Sequence, residues 1–132
     1  MTECSVAVTF VTGLKLSALL KNKNTMPHIL VDAIVSNIAT INSVSEMQPA
    51  VEAMMHRLGI DHVQKFCRYQ HENGCSLMYV LQNVHCVVHS FPEESLLCVD
   101  VFADGVSAAD VAQCVEDFFP CTRVQIKAVV DR

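Results

Sequence analysis

Two histidines four residues apart, His85 and His89, lie in an apolar run with a serine upstream at Ser76 and carboxylates downstream at Glu93 and Asp104. Histidine and carboxylate move protons when their surroundings tune them to do so. On a strand, residues four apart share a face, so His85 and His89 point the same way. With Cys67 or Cys98 close by, that pair has the ligand types that zinc takes. Partners two apart, or facing one another across a hairpin, are the more usual arrangement, and no metal is assigned here. Cys86 follows His85 directly and points to the opposite face, so the two make no dyad. Glu93 and Glu94 are adjacent and diverge. Asp104 precedes Gly105, a pairing that favours tight turns; with its pKa raised by burial, the same residue would serve as an acid.

The elements that must hold these groups are legible as a series. Ser5 to Val11 alternates and is rich in β-branched residues, which predicts a first strand. Leu14 to Asn24 is short and basic, compatible with one or two helical turns. Pro27 to Ile41 reads as a helix, since Leu30, Ala33, Ile34, Ile38 and Ile41 recur at helical spacing and Pro27 suits a first turn. A second helix begins near Ser45 and ends at Leu58, with Gly59 as its cap. Ile60 to Tyr69 reads as a strand, and His71 to Gly74 as a turn with Asn-Gly chemistry. Strands follow at Cys75 to Leu81, His85 to Ser90 and Leu96 to Phe102, the first two joined through Gln82-Asn83. Ser107 and Asp110 open a helix that runs to Phe118; Pro120 stops it, and Thr122 to Val130 forms a last strand.

Short connections between strands imply antiparallel neighbours. Helices gathered on one face of such a sheet give an α+β, two-layer sandwich. The 132 residues contain no repeat, low-complexity tract or flexible linker and are expected to form a single domain over 1–132.

Composition narrows the function classes. The hydrophobic fraction is 52%, yet no apolar run approaches the ~20 residues of a membrane helix. Excess apolar surface points instead to a homo-oligomer. The apolar N-terminal stretch lacks a basic leader and is interrupted by Lys15, which disfavours a signal peptide. Net charge is −5, the nine basic residues are scattered and tryptophan is absent, so nucleic acid is not an expected partner. Seven cysteines form no C-x-x-C pair, which fits reduced thiols in a cytoplasmic setting, mostly packed as small hydrophobes. Met47, Met54 and Met55 share one predicted helix and read as packing residues, as does Met78 on its strand.

The run from Gly74 to Gly105 carries a resemblance. It contains Gly74-Cys75-Ser76, then Asn83-Val84-His85, His89-Ser90-Phe91-Pro92-Glu93 and Asp100-Val101-Phe102-Ala103-Asp104-Gly105. At preserved spacing this resembles the prokaryotic S-adenosylmethionine decarboxylases, whose run reads roughly G-x-S-G, S-E-S-H-x-x-I-H-T-W-P-E and D-V-F-T-C-G. Phe66-Cys67-Arg68-Tyr69 sits where that family has F-H-x-F, and Ser5 to Phe10 is similar to its opening strand. Roughly Lys15 to Ser45 has no evident counterpart.

In that family, backbone cleavage before the serine of E-S-H turns it into a pyruvoyl group, which forms a Schiff base with the substrate amine and accepts electrons as carbon dioxide leaves. The resemblance implies processing roles for Ser76 and His89 and a substrate-lining role for Glu93. Val84 stands at the precursor position and Asp104 at that of the cysteine proton donor. Valine has no nucleophile to shift the peptide to an ester and no heteroatom to eliminate. Ser90 aligns with the family's threonine and is no substitute.

The expectation is an uncleaved chain without a pyruvoyl cofactor. It would bind S-adenosylmethionine or a related molecule through Ser76, Val84, His85, His89 and Glu93, and it would act in the regulation of polyamine synthesis or as partner of a competent decarboxylase subunit. A second reading keeps catalysis: a pyruvoyl-independent lyase, in which the pocket positions the sulfonium's own leaving group and Glu93 or Asp104 handles a proton. A third is a structural oligomeric partner with its pocket closed by Val84.

Overall fold

The computed structural model describes the backbone of residues 7–10 and the whole of residues 26–132. The strands are β1 (Ala7–Phe10), β2 (Pro27–Val35), β3 (Lys65–His71), β4 (Gly74–Leu81), β5 (Val84–Phe91), β6 (Leu96–Phe102) and β7 (Cys121–Asp131). The helices are α1 (Val44–Arg57) and α2 (Ala108–Phe118). One sheet takes the seven described strands in the order β1-β7-β2-β6-β5-β4-β3. Strands β2 to β7 pair antiparallel, and β1 joins β7 in parallel. The two-layer α+β architecture with helices on one face is as the sequence implies.

Alternation decides which residues face the helices. In β2 Ile29, Val31, Ala33 and Val35 are buried; in β4 Cys75, Leu77 and Tyr79; in β5 Cys86, Val88 and Ser90; in β6 Leu97, Val99 and Val101. Register lines these up, Val31 opposite Val99, Val99 opposite Val88 and Val88 opposite Leu77. Against this face pack Met47, Val51, Met54 and Met55 of α1 and Val111, Ala112, Cys114 and Val115 of α2. Among the described residues no helix covers the other face, and its side chains are partly accessible.

Both helices begin as their sequences dictate. The Ser43 side chain accepts from the Glu46 amide and Ser107 from the Asp110 amide, each meeting one unpaired donor of a first turn. Gly59 follows α1 at φ 77°, the left-handed conformation that ends a helix. The helices are tied to one another by Arg57, which bonds Asp117 and lies 4.5 Å over the Phe118 ring. Gln113 and Arg57 together hold the Asp117 carboxyl below its usual range.

Pro27 to Ile41 is not a helix. It is β2 followed by a short 3-10 turn at Ile38–Thr40, capped by Asn37. Leu30 and Ile34 occupy the open face while Ile29, Val31, Ala33 and Val35 occupy the helix face, so apolar residues on both sides mask the two-residue period. The strand expected from Ile60 begins later, at Lys65. The expected strand Ser5 to Val11 is seen as Ala7–Phe10, its ends lying outside the described residues, as does Leu14 to Asn24.

The turn before β4 works differently from an Asn-Gly turn. His71 pairs with Gly74, which leaves Glu72 and Asn73 at the corner. Gly74 has φ 140°, and a Cβ there would come within 2.1 Å of the Ser90 carbonyl oxygen. Close approach of β4 to the end of β5 therefore demands glycine. Gly74→Ala is expected to destabilise the chain by at least about 2 kcal/mol through strain and overpacking, measured by urea unfolding. A loss within about 0.5 kcal/mol would show that this junction is loose.

Candidate functional site

Each strand of the central β4-β5-β6 unit sends alternate residues to the open face, and the chemically capable side chains gather there. Ser76 and His89 are register partners across β4 and β5, and Ser76 Oγ lies 2.7 Å from His89 Nδ1. In the same row β6 contributes Cys98 opposite His89, and β2 contributes Asp32 opposite Cys98. The Cys98 thiol is pushed up to about 12, by burial first and then by Asp32 beside it. It is a protonated thiol in a polar row rather than a ready nucleophile.

His85 belongs to another cluster. Four residues along β5 from His89, it stands about 13 Å away at ordinary strand rise. Phe102 of β6 is the register partner of both His85 and His28, so both imidazoles lie beside its ring. Ring centroids lie 5.6 Å from Phe102 to His85, 5.9 Å from Phe102 to His28 and 5.5 Å between the histidines. Two residues back on β6, Asp100 shares this face. Its Oδ1 is 2.5 Å from His28 Nε2 and 3.3 Å from His85 Nε2.

Val84 leaves the turn Gln82-Asn83 and packs against the helix-side core beside Cys86, on the face opposite His85. Cys86 is buried there and its thiol is pushed up to about 12, chiefly by burial, with Asp100 adding to it. Glu93 is exposed in the short 3-10 turn Pro92–Glu94, and Asp104 is exposed in the turn after β6. Among the described residues no hydrogen bond joins either carboxylate to Ser76, His85 or His89. The structure thus brings Ser76 to His89, puts His85 in a second cluster and Val84 on the opposite face, and leaves Glu93 and Asp104 on exposed turns.

His28 and Asp100 were not picked out as site residues. His28 sits in the stretch that reads as a helix, and Asp100 is 72 positions away. Only the pairing of β2 with β6 reveals that they meet. The zinc set considered from sequence, His85 and His89 with Cys67 or Cys98, does not assemble: Cys67 is exposed on β3, the edge strand, and His85 turns to Asp100 and His28.

The family model described as S-adenosylmethionine decarboxylase matches residues 27–132. The match begins at β2, so the stretch from residue 27 to Ser45 has its counterpart in the family after all. Among solved structures, the adenosylmethionine decarboxylase from Aquifex aeolicus VF5 aligns with a TM-score of 0.68 at 21% identity, over 82% of this chain and 91% of that chain. At that identity the likeness speaks to the fold alone. A search of curated protein sequences finds no match.

Exposed and covered thiols should differ in reactivity. At about pH 8, alkylation of the folded chain is expected to label exposed Cys67 at least about tenfold faster than Cys86 or Cys98, as read by peptide mass mapping. Both slow thiols are protonated at that pH because their folded pKa values lie far above it. Equal rates would contradict the burial of β5 and β6.

Proposed function

The chain belongs to the S-adenosylmethionine decarboxylase family, and from that premise we propose that it is a non-processing homologue that binds S-adenosylmethionine or a related ligand and regulates polyamine synthesis. The observation that carries the reading is the replacement at one position. The family's motif run from Gly74 to Gly105 folds into the contiguous unit β4-β5-β6, with an isopropyl group where the precursor hydroxyl belongs.

The ligand would lie on the open face along the Ser76–His89 row, where a hydroxyl and an imidazole offer paired donors and acceptors to the amino and carboxylate groups of a methionyl moiety. Glu93, exposed beyond the end of β5, adds a negative charge suited to an ammonium or sulfonium group. His85 lies toward the other end of β5 on the same face and is assigned to the nucleoside side of the ligand; Val84 turns to the helix-side core and is assigned no ligand contact.

The open face also supports assembly. Tyr69, Met78, Val80, Phe91 and Val130 are exposed apolar or aromatic residues on strands of the sheet, 39–62% accessible. Covering such a face with a second copy removes apolar area from water, at about 25 cal/mol per Å². A homo-oligomer, or a mixed assembly with a competent decarboxylase subunit, would close the ligand between protomers. Among the described residues no helix is long and apolar enough to cross a membrane. A cytoplasmic protein acting on a cytoplasmic metabolite is consistent with the free cysteines.

Calorimetry of the full chain with S-adenosylmethionine tests the reading. Saturable binding is expected, weakened roughly tenfold in His89→Ala, the worth of about 1.4 kcal/mol for one lost hydrogen bond. No carbon dioxide should be released. Release of methylthioadenosine during the titration would favour the lyase reading, and absence of heat with both the nucleoside and its decarboxylated analogue would leave only a scaffold.

A further inference from the structure

The geometry points to a divalent transition-metal site formed by His28, His85 and Asp100 on the open face. Three adjacent strands, β2, β6 and β5, each supply one ligand, so the donor set is held by backbone hydrogen bonding rather than by a loop. Two imidazole Nε2 atoms converge on one carboxylate oxygen, and all three donor atoms lie within 4.8 Å of one another.

Donor spacing suits a first-row ion. Ligands about 2.0–2.1 Å from a tetrahedral centre stand ~3.3 Å apart. The His85–Asp100 separation of 3.3 Å already matches, and the 2.5 Å contact between His28 and Asp100 must open by less than one ångström. Two imidazoles and one carboxylate are the donor set of zinc, iron(II) and cobalt(II) sites that keep coordination positions open. Magnesium and calcium, which take all-oxygen shells, are disfavoured by the same chemistry.

Surroundings fix the ligands as a metal site requires. Phe102 packs beside the pair, its ring in contact with both imidazoles, which restricts their rotation. The three side chains are 28–35% accessible, enough for an ion and its remaining ligands to enter from the open face. A bound ion there would leave positions for water or for the amino and carboxylate groups of an amino-acid ligand. The metal site itself does not depend on the nucleoside-binding reading, since it uses His28 and Asp100 as well as His85.

The test is a titration of the full chain, freed of metal by chelator, with cobalt(II) alone and no nucleoside. One equivalent is expected to bind, with visible d–d absorption. His28→Gln, His85→Gln and Asp100→Asn should each weaken it by more than the roughly 10–100-fold that loss of an outer-shell partner costs. His56→Ala, whose ring bonds Asp61 elsewhere, should leave binding unchanged. X-ray absorption of the zinc-loaded wild-type chain should show two imidazole ligands and no sulfur, a readout that needs no variant to fold. Absence of stoichiometric binding, sulfur in the first shell, or binding untouched by all three substitutions would overturn the site.

Discussion

Side chains alternate across a β-sheet, and in this protein that single geometric rule decides what is core and what is chemistry. Along β5 the residues Val84, Cys86, Val88 and Ser90 turn to the helices, while His85, Val87 and His89 turn away. The helix face is sealed by α1 and α2, and its thiols are held protonated by burial. The open face collects the polar groups of four strands. A slip of one residue would exchange the two sets, placing histidines in the apolar layer and valines outside. Two contacts at one end of the unit oppose such a slip: Gly74 abuts the Ser90 carbonyl, and Ser90 Oγ accepts from the Cys75 amide at 3.0 Å.

Much of this was legible in the residues, for reasons that can be named. Ser43, Ser107 and Gly59 mark helix ends because each satisfies or releases backbone groups locally. Gln82-Asn83 announces a two-residue turn, with Gln82 at positive φ. Strand β2 was misread because its apolar residues occupy both faces, which erases the period that separates strand from helix. It is also flanked by β6 and β7, so its open-face Leu30 and Ile34 lie among neighbouring strands rather than in free solvent. The meeting of His28 with Asp100 was beyond local pattern altogether. It follows from a strand pairing between segments 72 residues apart, and no spacing rule encodes that.

The candidate site shows the same division. Ser76 and His89 were matched to the family motif separately, and hairpin register is what makes them one hydrogen-bonded pair. Glu93 and Asp104 stand at positions the resemblance singles out, and the fold places both on exposed turns with no hydrogen bond to that pair among the described residues. The family's fold thus persists, while Val84, at the position that the resemblance gives to the precursor serine, carries a hydrocarbon side chain.

Everything proposed for function rests on the chain staying whole. Intact-mass spectrometry of the purified protein tests this most directly. A single species at the mass of all 132 residues, unreactive toward hydroxylamine, is the expected result. Two fragments corresponding to residues 1–83 and 84–132, the second with a carbonyl at its amino terminus, would contradict the account.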